Sequence, residues 1–221
     1  MATFVLLHGA GSDPWYWHLV APQLRDRGHD VVTPTFPCDD DTAGLLDYVD
    51  AVVAAIGDRR DLVLVAQSLA GMVAPVVCER VPVDLLVLVA AMVPSPGETG
   101  AAWWTNTGHA VGADASDDPV VTFLHDVPID VAAESAAHVR AQSEAVFDLP
   151  WPLAAWPDVP TRFLLCRDDR FFPADFQRRV VRERLGIVPD EMGGGHLPAL
   201  ARPQELADRL LAYAAAVVSA P

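Results

Sequence analysis

Lysine is absent. All 15 basic residues are arginine, set against 30 acids, and the formal charge is −15 over 221 residues. The absence excludes Schiff-base lysine chemistry. So acidic a chain also disfavours nucleic acid or an anionic membrane as a partner, because phosphate contacts need clustered cations. No apolar run reaches the roughly 18 to 20 residues of a membrane-spanning helix, although hydrophobic residues make up 52% of the chain. The apolar start, Thr3-Phe-Val-Leu-Leu, has no cationic region ahead of it. It reads as a strand and not a signal peptide, which predicts a cytoplasmic location. Cysteine is scarce: Cys38, Cys78 and Cys166 are odd in number and far apart. They suit neither a disulfide framework nor zinc, and no histidine stands in a metal-ligand spacing, so no metal is expected. Small-molecule chemistry remains, and oligomeric state stays open between a monomer and a homodimer.

What the chain does have is a repeated alternation. Short aliphatic and β-branched runs occupy 3–7, 31–36, 62–66, 83–90 and 161–166, and helix-like stretches occupy 15–27, 43–57, 69–80, 174–185 and 203–218. Near-continuously apolar strands between helices predict an α/β protein. Its doubly wound, mostly parallel sheet would have about six strands and helices on both faces. Residues 99–158 break the pattern and are too long for a simple crossover, so they should hold helices of their own. One is expected over 130–147, with Asp130 as its N-cap. The division this gives is a core of 1–98 and 159–221 with a helical lid, 99–158, inserted between hinges at Val93-Pro-Ser-Pro-Gly and Leu149-Pro-Trp-Pro.

The strand at 62–66 runs into Ala66-Gln67-Ser68-Leu69-Ala70-Gly71 and then a helix. A sharp strand-to-helix turn of this kind lifts a serine hydroxyl clear of a sheet, and is usually written G-x-S-x-G. Alanine replaces both glycines here, which keeps the small size the close approach needs. A hydroxyl nucleophile needs a base and an acid to orient that base. Downstream, Cys166-Arg-Asp-Asp-Arg-Phe-Phe-Pro173 offers Asp168 and Asp169 at the carboxyl end of a strand, and Gly193-Gly-Gly-His196-Leu-Pro offers His196. The other histidines (His18, His29, His109, His125 and His138) read as surface or core residues, and His8 as a loop support. Upstream, the first strand ends in Leu7-His8-Gly9-Ala10-Gly11. Together with the residue after the nucleophile, this loop predicts an oxyanion hole from the backbone N–H groups of Ala10 and Leu69.

With these pieces placed, nearly the whole chain resembles the α/β-hydrolase branch that contains methyl-salicylate-type esterases and hydroxynitrile lyases. The marks are Phe4-Val-Leu-Leu-His-Gly followed by Trp15 and Trp17, the serine turn, Ala91-Met-Val-Pro-Ser-Pro-Gly-Glu98, Asp169 with Phe176-Gln177, and Gly194-Gly-His196. The resemblance implies a catalytic triad of Ser68, Asp169 and His196, with Asp169 preferred over Asp168 because Pro173 stands four residues on. It implies no cofactor, and a core without the two leading strands of larger members. Cyanohydrin-cleaving members resemble one another in a Thr in the oxyanion loop and a Lys after the catalytic His. Gly9 and Leu197 stand there instead, which favours hydrolysis of a small ester, thioester or lactone. The alternatives are lyase or carbon-carbon cleavage on the same fold and a non-catalytic small-molecule binding protein. Trp15, Trp17, Trp103, Trp104, Trp151 and Trp156 point to an apolar or aromatic acyl substrate, with Gly9, Trp104 and Leu197 in its pocket.

Overall fold

The computed structural model describes residues 1–218, so residues 219–221, assigned above to the core, lie outside the described residues. Six strands form one sheet: β1 (Thr3–Leu7), β2 (Asp30–Val32), β3 (Leu62–Gln67), β4 (Leu85–Val89), β5 (Thr161–Cys166) and β6 (Asp190–Met192). Their order is β2-β1-β3-β4-β5-β6 and every pairing is parallel. The chain builds outward from β1 to β2 and then returns to lay β3 on the other side of β1. The carboxyl ends of β1 and β3 therefore flank a switch point, where open parallel sheets bind ligands.

Alternation along each strand divides the core. Val5 and Leu7 pack with α2 (Leu45–Ile56), α3 (Ala70–Cys78) and α8 (Ala174–Leu185) on one face. Phe4 and Leu6 pack on the other, with α1 (Ala21–Asp26) and α10 (Pro203–Val218). Both faces are covered, which is why the strands read as continuous apolar runs.

Three local expectations are corrected. The single helix over 15–27 is a 3-10 turn, Pro14–Trp17, followed by α1, because Pro22 is admissible only in a first turn. The strand over 31–36 ends at Val32, just before Pro34, which has no N–H for a ladder. The helix over 130–147 is α6 (Ile129–Ser135), a 3-10 turn at Ala136–His138 and α7 (Ala145–Asp148). Between them the backbone bonds elsewhere: Arg140 N–H donates to the Gly11 carbonyl at 3.0 Å and Ser143 N–H to that of Cys38 at 2.7 Å.

Residues 99–158 also hold α4 (Gly100–Asn106) and α5 (Pro119–Phe123). The two ends of this segment meet: Gly97 N–H donates to the Trp151 carbonyl at 3.2 Å, and Trp151 N–H to the Glu98 carbonyl at 2.8 Å. A buried ion pair fastens the junction to α8. Arg184 Nη1 and Nη2 lie 2.5 and 2.9 Å from Glu98 Oε2 and Oε1, with the side chains 13% and 3% exposed. Burial pushes the Glu98 carboxyl up, but hydrogen bonds from Arg184, Asn106 and Ser95 outweigh it and hold the group below its ordinary value of 4.5. A depressed carboxyl contributes stability that is fully present above the unfolded-state value and is lost as pH falls through the folded one. Glu98→Gln leaves Arg184 without its counter-charge. It is expected to cost about 3 kcal/mol at pH 7 and to flatten the acid limb of stability in denaturant unfolding measured from pH 7 downward.

Candidate active site

A strained turn lies where β3 meets α3. Ser68 has φ +53°, in the left-handed region where a side-chain-bearing residue is strained, and the helix begins two residues later. The turn is held by its own backbone. Ser68 N–H donates to the Val89 carbonyl at 3.3 Å, and the Ser68 carbonyl accepts from Gly71 at 3.0 Å and Met92 at 2.9 Å. Ala66 and Ala70 fit as expected, both fully buried. The glycine the turn requires is Gly71, which the motif reading did not single out: a Cβ there would lie 2.0 Å from the Met92 carbonyl oxygen.

Loops from the carboxyl ends of three other strands converge on this serine. His196, four residues beyond β6, sets Nε2 3.0 Å from Ser68 Oγ and Nδ1 2.8 Å from Asp169 Oδ2. All three residues are buried, at 8%, 3% and 4% exposure for Ser68, His196 and Asp169. The carboxylate is fixed from its other side, since Oδ1 accepts the backbone N–H groups of Phe171 at 2.9 Å and Phe172 at 2.8 Å. Asp168, the other acid in that loop, faces away from His196. Its Oδ2 accepts Gly194 N–H at 2.8 Å and its own N–H donates to the Gly194 carbonyl, so it shapes the loop that carries His196. The His196 backbone is held on both sides: Gln67 Nε2 donates to its carbonyl at 3.0 Å, and Asp126 Oδ2 accepts the N–H of Gly195 at 2.8 Å.

The loop after β1 crosses directly over the turn. A Cβ at Gly9 would stand 2.3 Å from Gln67 Oε1 and 3.0 Å from Ser68 Cβ, so any side chain here would have to displace the Gln67 amide. His8 is fully buried, and burial pushes its pKa down to about 4. The neutral ring contacts the Gly9 carbonyl through Nδ1 at 2.9 Å, which makes His8 a support for this loop. Neither Ala10 nor Leu69 N–H has an acceptor among the described residues.

A cavity of about 360 Å³ opens on Ser68 and His196, and Gly9, Ala10 and Leu197 stand on its wall. Trp104 does not. It packs against Trp103 at 4.9 Å and His109 at 5.0 Å between ring centroids, away from the cavity. Trp103 and Trp151 are buried anchors, their indole N–H groups donating to the Val93 and Met72 carbonyls. The tryptophans between β4 and β5 thus pack that segment onto the core. The apolar lining comes from residues the sequence did not flag, chiefly Phe123, Leu124, Val139 and Phe171, together with Trp15. Phe123 and Phe171 place their rings 5.6 and 5.2 Å from the His196 ring. A wider surface depression of about 470 Å³ near Thr35, Asp47 and Arg140 holds none of the three converging residues. Among the described residues no cluster of His, Cys, Asp or Glu is placed to hold a metal ion, and no helix is long and apolar enough to cross a membrane.

The chain is similar to known proteins over most of their length. Norfluorocurarine synthase 1 of Strychnos is 22% identical over 267 residues, covering 97% of this chain and 96% of its own. Methylesterase 8 of Arabidopsis thaliana is 24% identical over 249 residues, covering 96% and 89%. The crystal structure of polyneuridine aldehyde esterase superposes with a TM-score of 0.83 at 20% identity, over 96% of this chain and 99% of that one. The profile of the alpha/beta hydrolase family matches residues 4–209, from the first strand into the last helix, and the chain belongs to that family.

Proposed function

We propose that this protein is a serine esterase that hydrolyses a small ester, thioester or lactone through an acyl-enzyme on Ser68. The observation that carries the reading is the unbroken hydrogen-bonded chain from Asp169 through His196 to a serine hydroxyl at the floor of an apolar cavity. A relative that bears the name methylesterase supports the same reaction class.

In this mechanism Ser68 Oγ attacks the carbonyl carbon while its proton passes to His196 Nε2. Asp169 stays ionised, keeps the Nδ1 proton in place and stabilises the imidazolium. The free amides of Ala10 and Leu69 receive the developing oxyanion, each worth about 3 kcal/mol. The bond to the leaving oxygen or sulfur then breaks, and that atom takes the proton from His196. Water repeats the sequence on the acyl group, giving the acid and free Ser68. Residues 99–158 act as the lid in this reading, with Phe123, Leu124 and Val139 supplying its part of the cavity wall. Among the described residues no arginine lines the cavity to assist a departing anion such as cyanide, which supports hydrolysis over cyanohydrin cleavage.

Cavity size and lining favour compact apolar or aromatic acyl groups. A panel of esters sharing one alcohol is expected to show higher kcat/KM for aromatic and medium-chain acyl groups than for short polar ones. The reverse order would overturn the substrate class.

A further inference from the structure

His138, on the wall of the same cavity, forms a second histidine-aspartate pair with Asp13 behind it, and ester hydrolysis makes no use of it. His138 Nδ1 lies 2.9 Å from Asp13 Oδ2. Its ring lies flat on Trp15, with centroids 4.4 Å apart and 6° between planes, and His18 stacks on the same indole at 4.0 Å. Asp13 has only one oxygen to offer the imidazole, because Oδ1 caps the 3-10 turn by accepting Trp15 N–H at 2.8 Å. The pair repeats the design of His196 with Asp169, where amide donors pin one carboxylate oxygen and the other faces Nδ1. The two differ at the far nitrogen. His196 Nε2 meets the Ser68 hydroxyl, whereas His138 Nε2 has no partner among the described residues.

A carboxylate accepts only, so Asp13 keeps the proton of the neutral ring on Nδ1 and leaves Nε2 with a lone pair. Two constraints, the hydrogen bond and the stacking, fix the direction of that lone pair before any ligand arrives. Ser135, Val139 and His138 line the cavity together with Ser68 and His196. We propose that His138 is a specificity-determining residue that accepts a hydrogen bond from a hydroxyl or N–H group on the part of the ester remote from its carbonyl. The preferred substrates are then esters that are apolar over most of their surface and carry one such donor. This rests on the esterase reading given above.

The test uses three esters that differ at one position, bearing a hydroxyl, a hydrogen or a methyl ether there. The wild-type enzyme is expected to prefer the hydroxyl ester over the unsubstituted one about tenfold in kcat/KM, through KM, as one hydrogen bond to a partly exposed acceptor provides. His138→Phe keeps a ring on Trp15 and removes the acceptor, and should bring the ratio to about one. In Asp13→Asn the amide oxygen keeps the cap on Trp15, so the NH₂ group turns to Nδ1 and drives the proton to Nε2. The methyl ether, which can only accept, should then rise above the unsubstituted ester and approach the hydroxyl ester, whose oxygen accepts from Nε2–H as well. A wild-type ratio near one, or a hydroxyl preference that survives in His138→Phe, overturns the proposal. Labelling of Ser68 by a fluorophosphonate shows that each variant retains an intact site, and if His138→Phe takes no label, a methyl ether that gains nothing over the unsubstituted ester in Asp13→Asn overturns the proposal by itself. Failure of the esterase reading is seen separately, as turnover of all three esters by Ser68→Ala at the wild-type rate.

Discussion

Ser68→Ala is expected to lower kcat/KM on the best ester by roughly 10⁵-fold, the order seen when a triad nucleophile is removed, while thermal stability holds or rises slightly. The two halves of this result have different causes. Among side-chain groups the hydroxyl meets only His196, so its removal takes away the bond-forming atom and almost no packing. The strain at φ +53° is a property of the turn and is borne by any residue with a Cβ at position 68. Activity is not expected to fall to zero. Binding and the amides of Ala10 and Leu69 remain, and such groups alone give roughly 10³-fold acceleration over water. Steady-state kinetics with a chromogenic ester and a thermal unfolding scan on the same preparation check both halves.

Asp169→Asn is expected to cost about 10⁴-fold in kcat with little change in KM. The size of the effect follows from the way the side chain is held. Phe171 and Phe172 N–H groups require an oxygen at the Oδ1 position, so the new NH₂ group must replace Oδ2 and face His196 Nδ1. It donates there, the ring proton moves to Nε2, and the base presents a proton to Ser68 where it needs a lone pair. Asp168→Asn keeps an acceptor for Gly194 N–H and should change kcat by less than about tenfold, the loss of one charge-assisted bond at a half-exposed loop. The pair of variants, assayed side by side, separates the acid that orients the base from the acid that shapes its loop.

Much of this arrangement was legible in the sequence, and its gaps have physical reasons. β1, β3 and β5 fall within a residue of their expected bounds, because strands covered on both faces are near-continuously apolar. β6 escaped notice: it is three residues long, lies at the sheet edge and carries Asp190 and Glu191, so it lacks the pattern of a buried strand. The elements lost between 15 and 27 and between 130 and 147 were helices by periodicity, but Pro22 and the long-range bonds of Arg140 and Ser143 decided otherwise, and periodicity sees neither. Ser68, Asp169 and His196 were expected from chain order and motif, and the structure brings them within hydrogen-bond reach of one another because each stands in the loop that follows a strand of the sheet. Of the cavity wall, Gly9 and Leu197 were expected, but its apolar part was not: Phe123, Leu124 and His138 reach it through the path of a segment held partly by bonds distant in sequence, such as those of Arg140 to Gly11 and Ser143 to Cys38, and Trp104, the conspicuous candidate, serves packing. Gly71 shows the same limit on a smaller scale: its need for glycine comes from the Met92 carbonyl, a neighbour distant in sequence.

The most direct measurement of the central claim is reaction of the folded protein with a fluorophosphonate probe, followed by peptide mass spectrometry. One equivalent of label is expected, on Ser68, with loss of esterase activity in proportion to labelling and with labelling slowed sharply in His196→Ala. Folded protein that takes no label at Ser68, or that keeps its esterase activity once labelled there, would contradict the account.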